Sequence, residues 1–330
     1  MDDSKLTRGA NIVVRHWVRL KPWESLLIVT SNNYMKEALA LSHSAHKRSL
    51  KVNLMIVEDV GKNVGIYFDK NEDAFDGYSA IIAATEYSLV TTLAAKKAIG
   101  QGKKFLALPL STSNNMSLLE FDFLHMDTKK SRLMSEIIMK YIENSSTIHV
   151  ETPAGTDLTL SKKGRKPGFF NGVVKDGKGF SSASFEVYVP IVEDATEGIM
   201  VVDGSLGYIG KCEQNVHLTI TGGRITDIES NPSGDKLRAF IESYDDPGLF
   251  IASEFGIGLN SLAKCRGCSY IEDESAYGTF HVGFGRNLAL GGTLEANGHY
   301  DLVSHRPSIY VDNRQIMDDG IIIIPEPVFQ

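Results

Sequence analysis

The sequence predicts an α/β, Rossmann-like N-terminal domain over residues 1–145, followed by a β-rich, barrel-like C-terminal domain over residues 146–330. Three observations carry this prediction. The first half alternates continuous aliphatic runs with stretches of helical spacing, the pattern of a parallel sheet covered on both faces. The second half is built of short runs with period-two alternation. At 330 residues the chain also exceeds the size at which a single core usually stops growing.

Taken in order, LLIVT (Leu26 to Thr30) reads as a buried strand. Residues 32–47 follow with helical spacing and with Asn32 or Asn33 available as an N-cap. KVNLMIVED (Lys51 to Asp59) and SAIIAAT (Ser79 to Thr85) are the next strands, then a helix over Ser88 to Ala98 and a strand over Lys103 to Leu110. A helix from Lys129 to Glu143, with Thr128 as its cap, closes this half. The first strand is followed by TSNNYMKEA, which lacks the glycines of a dinucleotide-binding turn, so a structural or substrate-positioning role is expected for this half. STIHVETPAGTDLTLS (Ser146 to Ser161) alternates about a Pro-Ala-Gly turn and predicts a hairpin. Short strands continue to PSIYVDNRQIMDDGIIIIP, with helical spacing only over Lys236 to Tyr244.

Composition narrows the function. A net charge of -7 argues against a nucleic-acid or membrane-surface partner, which needs a clustered positive field. Lys162, Lys163, Arg165 and Lys166 form one short basic run, expected as a solvated loop. The start, MDDSKLTRGA, has no apolar core of a secretory signal, and no run approaches a membrane span. Three cysteines, Cys212, Cys265 and Cys268, are odd in number and fit a reducing cytoplasm rather than a disulfide framework.

The densest set of metal-capable side chains lies between Glu254 and Asp301. In His299-Tyr300-Asp301 the imidazole and carboxylate are two residues apart, so on a strand both leave the same face. His281 sits in GTFHVGFG, where Gly278, Gly283 and Gly285 permit close backbone approach. Phe280, Phe284 and Tyr300 are the aromatic neighbours expected to wall a pocket for an apolar side chain or a heteroaromatic ring. His281, His299 and Asp301 have the composition of a triad that holds ferrous iron and leaves positions open. Glu186 and Glu254 are lone carboxylates between apolar neighbours, a setting that usually ends on the exposed face of a strand. Added to the triad they make five donors, a number that suits two ions sharing a hydroxide. Glu272, Asp273 and Glu274 form an acidic knot that offers a general base or bridging carboxylate, or is a solvated turn. Cys265 and Cys268 form an isolated C-x-x-C, expected on a turn without a metal role.

The run FEVYVPIVEDATEGIMVVDGSL, then EFGIGLN, EDESAYGTFHVGFG, GHYD and PSIYVDNRQIMDDG resembles, in order from Thr147 to Gly320, the thermophilic-type metallo-aminopeptidases, the aminopeptidase T and aminopeptidase S family. The resemblance implies metal ligands at Glu186, Glu254, His281, His299 and Asp301, and catalytic carboxylates at Glu186 and Glu274. It implies a homodimer that removes N-terminal residues from short peptides, using two divalent ions (zinc, cobalt, magnesium or manganese) and a metal-activated hydroxide. One position and one spacing depart from that pattern. Leu288 stands where the family has a metal-site tyrosine, and the interval from His281 to His299 is short. A second group of the same fold, the 2,5-dihydroxypyridine 5,6-dioxygenases, resembles the sequence as well. In that alternative His281, His299 and Asp301 hold a single ferrous ion, Glu186 is an acid/base or orienting group, and the Gly168 to Ser182 segment is a lid over a small-molecule ring.

Overall fold

A computed structural model describes residues 4–58 and 61–324; the expected strand end at Asp59 and the terminal Pro325 lie outside the described residues. The chain divides into two compact units, Met1–Thr128 with Phe170–Ser184, and Lys129–Phe169 with Phe185–Gln330.

In the first unit the aliphatic runs form a parallel sheet in the order Val52–Val57, Leu26–Ser31, Ala80–Ala83, Lys104–Ala107, Phe180–Ser182. Every residue of Leu26–Ser31 is buried, which is why that run has no polar alternation. Leu27, Val29, Ile81 and Phe105 pack with Val64 and Phe68 of one helix and Ala94, Ala95 and Ala98 of another. That last helix is Leu93–Gly100, and it starts later than the spacing from Ser88 suggests because the Thr92 hydroxyl accepts the Ala95 N–H and fixes the start there. Asn32 and Asn33 do not cap: they lie in a 3-10 turn, Asn32–Tyr34, ahead of the helix Met35–His46. A helix Lys5–Asn11 and a π-helical turn Ile12–Trp17 precede the sheet, and neither was singled out by its spacing.

The second unit is antiparallel. The predicted hairpin forms from Thr147–Glu151 and Asp157–Ser161. It is part of an eight-stranded sheet running from Arg224–Ile228 at one edge to Ile321–Ile322 at the other. A second sheet orders His299–His305, Thr279–Gly285, Ala252–Gly258 and Phe185–Pro190, then a strand beginning at Gly168. The barrel expected for this half is not formed among the described residues. The edge strands of the larger sheet do not pair with each other, and the two open sheets share one apolar core. Ile148, Val150, Leu158 and Met200 enter that core from the larger sheet, and Val187, Phe255, Ile257, Phe280 and Phe284 from the smaller. The Gly168 to Ser182 segment, expected as a lid, contains the strands Gly168–Asn171 and Phe180–Ser182.

Two further expectations change. The helix in the middle of this unit runs Pro232–Glu242, placed by Asn231, whose side-chain oxygen accepts the N–H groups of Ser233 and Gly234. Lys162, expected in a solvated basic loop, is 1% exposed, and its ammonium donates to the carbonyls of Ile142 and Glu143 at the end of the helix Thr128–Glu143. A lysine there satisfies carbonyls the helix cannot bond itself and complements its dipole. No helix among the described residues is long and apolar enough to cross a membrane.

Candidate metal centre

The smaller sheet of the second unit carries five of the side chains singled out in the sequence on a single face. Strand register sets this arrangement. Glu254 stands opposite Gly283, which stands opposite Asp301; Gly256 stands opposite His281 on one side and Tyr188 on the other; Gly285 stands opposite His299. Because side chains alternate, Glu186, Tyr188, Glu254, His281, His299 and Asp301 all leave the same face. Val187, Val189, Phe255, Ile257, Phe280, Val282, Phe284 and Tyr300 leave the other and pack the core.

This overturns the expected aromatic wall. Phe280, Phe284 and Tyr300 are fully buried on the opposite face, and the Tyr300 hydroxyl donates to the Leu249 carbonyl. Sequence neighbours of His281 and Asp301 are not their spatial neighbours, since the strand period sends them the other way. The aromatic groups on the site's side are Tyr188 and Tyr270, neither of which stood out in the sequence. A signal was available for Tyr188: it lies two residues beyond Glu186 in FEVYVP, on the same strand face.

Glycines make the room. A Cβ on Gly256 would lie 1.9 Å from His281 Nε2, and one on Gly283 would lie 2.7 Å from Asp301 Oδ1 and 2.8 Å from His299 Cε1. Any larger residue at either position would displace a ring or carboxylate of the cluster.

The side chains meet closely. His281 Nε2 is 2.8 Å from Glu186 Oε2, and His299 Nε2 is 3.1 Å from Glu254 Oε2 and 3.4 Å from Asp301 Oδ1. His299 Nδ1 bonds the Arg286 carbonyl at 2.9 Å. Asp301 Oδ2 accepts a hydrogen bond from the Tyr270 hydroxyl. His281 Nδ1 and Asp301 Oδ1 are buried and have no hydrogen-bond partner. Among the described residues, two sets of donors come within mutual reach of an ion: Glu186, Glu254 and His281, and Glu254, His299 and Asp301. Glu254 belongs to both, and the triad expected for a single ion is divided between them. Glu186 and Glu254, expected on exposed faces, are each 4% exposed.

Three buried carboxylates against two imidazoles leave a surplus of negative charge that the low-dielectric interior does not tolerate unneutralised. The protonation equilibria record this strain. Burial raises the Glu254 carboxyl to about 7. Burial opposes protonation of His281, but Glu186 overrides it and raises the imidazole to about 9. Burial likewise opposes protonation of His299, and Asp301 overrides it, while Asp301 itself is held at about 2 by His299 against the effect of burial. Such a cluster is neutralised by protons or by a cation, and two nitrogens with one or more carboxylates are a donor set for a first-row divalent metal.

The acidic knot is not a solvated turn. Glu272, Asp273 and Glu274 lie in a short helix, Tyr270–Ser275, all of whose residues are buried. Asp273 Oδ2 accepts the Ser205 hydroxyl at 2.8 Å, and its Oδ1 accepts the backbone N–H groups of Arg266 and Gly267. These bonds lock the Cys265 to Cys268 loop to the helix. Glu274 is 4% exposed and belongs to neither donor set, although its charge reaches Tyr270.

Residues 115–324 match the family described as NicX, 2,5-dihydroxypyridine 5,6-dioxygenase. The chain belongs to this family. A curated 2,5-dihydroxypyridine 5,6-dioxygenase of Pseudomonas putida KT2440 is 24% identical over 213 residues, which span 61% of this chain and 60% of that relative's length. The solved structure of 2,5-dihydroxypyridine dioxygenase from the same organism superposes with a TM-score of 0.79 at 18% identity, covering 98% of this chain and 99% of that one. AmpT from Thermus thermophilus superposes with a TM-score of 0.68 at 14% identity, covering 97% and 99%. The aminopeptidase expectation is therefore corrected. Family and curated relative are both dioxygenases, and the likeness to AmpT is one of fold alone.

Proposed function

We propose that this dioxygenase-family chain uses a single ferrous ion to open a hydroxylated nitrogen-heteroaromatic ring of the 2,5-dihydroxypyridine type, with His281, His299 and Asp301 as the ion's protein donors. One observation carries the reading: each histidine has one ring nitrogen engaged by an acceptor other than these three donors. Glu186 takes His281 Nε2 and the Arg286 carbonyl takes His299 Nδ1, which leaves His281 Nδ1, His299 Nε2 and Asp301 Oδ1 as the remaining donor atoms, and one ion held by all three would draw together the two donor sets that Glu254 shares. Anchoring the distal nitrogen fixes the tautomer and orients the ring, as metal-bound histidines require. A two-histidine, one-carboxylate set suits ferrous iron and leaves positions open for other ligands.

Ferrous iron supplies the redox chemistry that lets dioxygen react with an electron-rich ring. The remaining steps fall to the protein. Glu186 Oε2 accepts the His281 Nε2 proton and so holds the imidazole neutral at Nδ1 when the ion is bound. Glu254, a member of both donor sets, takes the proton that a ring hydroxyl gives up on binding. Tyr188, 6% exposed and on the same face, offers a phenol to the ring's polar edge. Burial of every carboxylate in the cluster keeps bulk water from the reacting ring.

Protein purified without air and loaded with ferrous iron tests the reading. A single iron per chain, oxygen uptake on 2,5-dihydroxypyridine and no release from a leucyl chromogenic amide are expected. Iron-loaded protein that consumes no oxygen with this ring or its hydroxylated analogues would sink it.

A further inference from the structure

The Tyr270 phenol is the polar contact in the cluster that neither the donor set nor the proton path uses. Tyr270 opens the helix Tyr270–Ser275, is 8% exposed, and donates its hydroxyl to Asp301 Oδ2. The other oxygen of the same carboxylate, Oδ1, is buried, lacks a hydrogen bond and lies 3.4 Å from His299 Nε2. One oxygen is therefore occupied by the protein and one is not.

The ring that delivers this hydroxyl is held on two sides. Tyr208 stacks on Tyr270 with ring centroids 4.1 Å apart and planes within 12°. Tyr208 lies in the turn Gly207–Ile209, and that turn abuts the strand bearing Asp301: a Cβ on Gly207, whose φ is +61°, would lie 2.6 Å from the Asp301 carbonyl oxygen. Just before the turn, Ser205 exchanges backbone hydrogen bonds with Val303, and its hydroxyl donates to Asp273 on the Tyr270 helix. One segment, 203–210, thus fastens both the strand that carries the aspartate and the helix that carries the tyrosine.

We propose that Tyr270 is a positioning residue for Asp301: by occupying Oδ2 it makes the aspartate bind the ion through Oδ1 alone. A carboxylate free to turn can chelate an ion through both oxygens and fill a second coordination position. Pinned by a phenol, it would fill one, and the other would stay free for a further ligand. This deepens the ring-opening reading and rests on Asp301 being a ligand in it. Outer partners of metal ligands typically change metal affinity or activity by 10–100-fold.

The test uses full-length protein under argon, with ferrous iron alone as the titrant and nitric oxide as a spectroscopic probe of the open positions. Tyr270→Phe keeps the ring and its stack on Tyr208 but removes the hydroxyl. The expected result is a ferrous dissociation constant changed by roughly tenfold or more, an altered electron paramagnetic resonance signal of the nitric oxide adduct, and a lower kcat at saturating iron with KM for the ring little changed. Tyr208→Leu leaves the hydroxyl in place but unclamped and should move the same signal less, so the idea stays testable if Tyr270→Phe misfolds. An unchanged isotherm and unchanged adduct spectrum in a folded Tyr270→Phe, or in Tyr208→Leu if only that variant folds, would overturn the proposal. Iron uptake without ring oxidation in the unaltered protein removes the ring-opening reading but leaves the isotherm to decide on Tyr270. A chain that binds no ferrous iron sinks both.

Discussion

The two faces of the smaller sheet use the same strands for opposite purposes. Along Thr279–Gly285, Phe280, Val282 and Phe284 enter the core, while His281, Gly283 and Gly285 face the site. The core face is filled with bulky apolar groups and satisfies every rule of a stable sheet. The site face breaks those rules. Its glycines weaken the strand, its carboxylates are buried, and two of its polar atoms have no partner. Stability is drawn from one side of the backbone so that the other can hold groups ready for a ligand, the trade expected where function demands a destabilised constellation.

If the faces are separable in this way, substitutions should divide cleanly between them. The largest effect on function is expected from His299→Ala, which removes a donor. Iron retention after desalting and oxygen uptake should both fall below detection. The melting temperature of the chelated protein should fall, but by less than a core substitution costs, because Glu254 and Asp301 lose the imidazolium that compensates them and must take up protons instead. A melting temperature lowered as much as by a core substitution would show that the site face also carries the fold.

The matching experiment on the other face is Phe284→Ala. Phe284 is fully buried, stacked on Tyr300 with centroids 5.5 Å apart, and belongs to the shared core of the second unit. A loss of about 3–5 kcal/mol is expected from the cavity and lost transfer energy, read as a lower urea midpoint. Below the unfolding transition the variant should still bind iron. Loss of iron from a folded Phe284→Ala would mean the two faces are coupled through the backbone.

The same contrast explains what could be read in the sequence. The alternation that puts His299 and Asp301 on one face was legible because it depends only on strand period; the burial of the isolated carboxylates Glu186 and Glu254 was not, since what covers a strand face is fixed by tertiary folding. The parallel sheet was legible from aliphatic runs such as LLIVT. Phe280, Phe284 and Tyr300 were misplaced as pocket walls because adjacency along the chain was given more weight than that same period. The acidic knot was open between a solvated turn and a site group because the partners that bury Asp273, Ser205 and the Arg266 and Gly267 amides, are fixed by tertiary folding. Lys162 was misread for a similar reason: the helix end it caps is nearly 20 residues upstream. Barrel closure depends on whether two distant edge strands meet, which no local pattern encodes. The choice between hydrolysis and ring opening was the least legible, since both draw on His281, His299 and Asp301. Family membership, and not spacing, is what favours the second reading.

The smallest expected effect concerns protons standing in for the ion. In chelated protein, burial raises Glu254 to about 7, and Glu186 raises His281 to about 9 against burial. Both folded values exceed the unfolded ones of roughly 4.3 and 6.5. Protonation of each group therefore favours the native state. That contribution is complete below the unfolded value and is lost as pH climbs through the folded value. Asp301 has the opposite sign: held at about 2 by His299 despite burial, it contributes above its unfolded value and loses that contribution only in strong acid. Between about pH 5 and pH 9 these two groups act in the same direction as Glu272 and Asp273, whose carboxyls burial raises to about 7 and about 6, so chelated protein should melt at progressively lower temperature across that range. Ferrous iron, bound as proposed, would displace those protons and neutralise the same carboxylates, so iron-loaded protein should change less, and the gap in melting temperature between the two forms should widen with pH. Calorimetry with and without chelator, repeated on His299→Ala, checks this. In the variant the gap should close, whereas a gap in the unaltered protein that stays constant with pH would show that protons do not occupy the place assigned here to the ion.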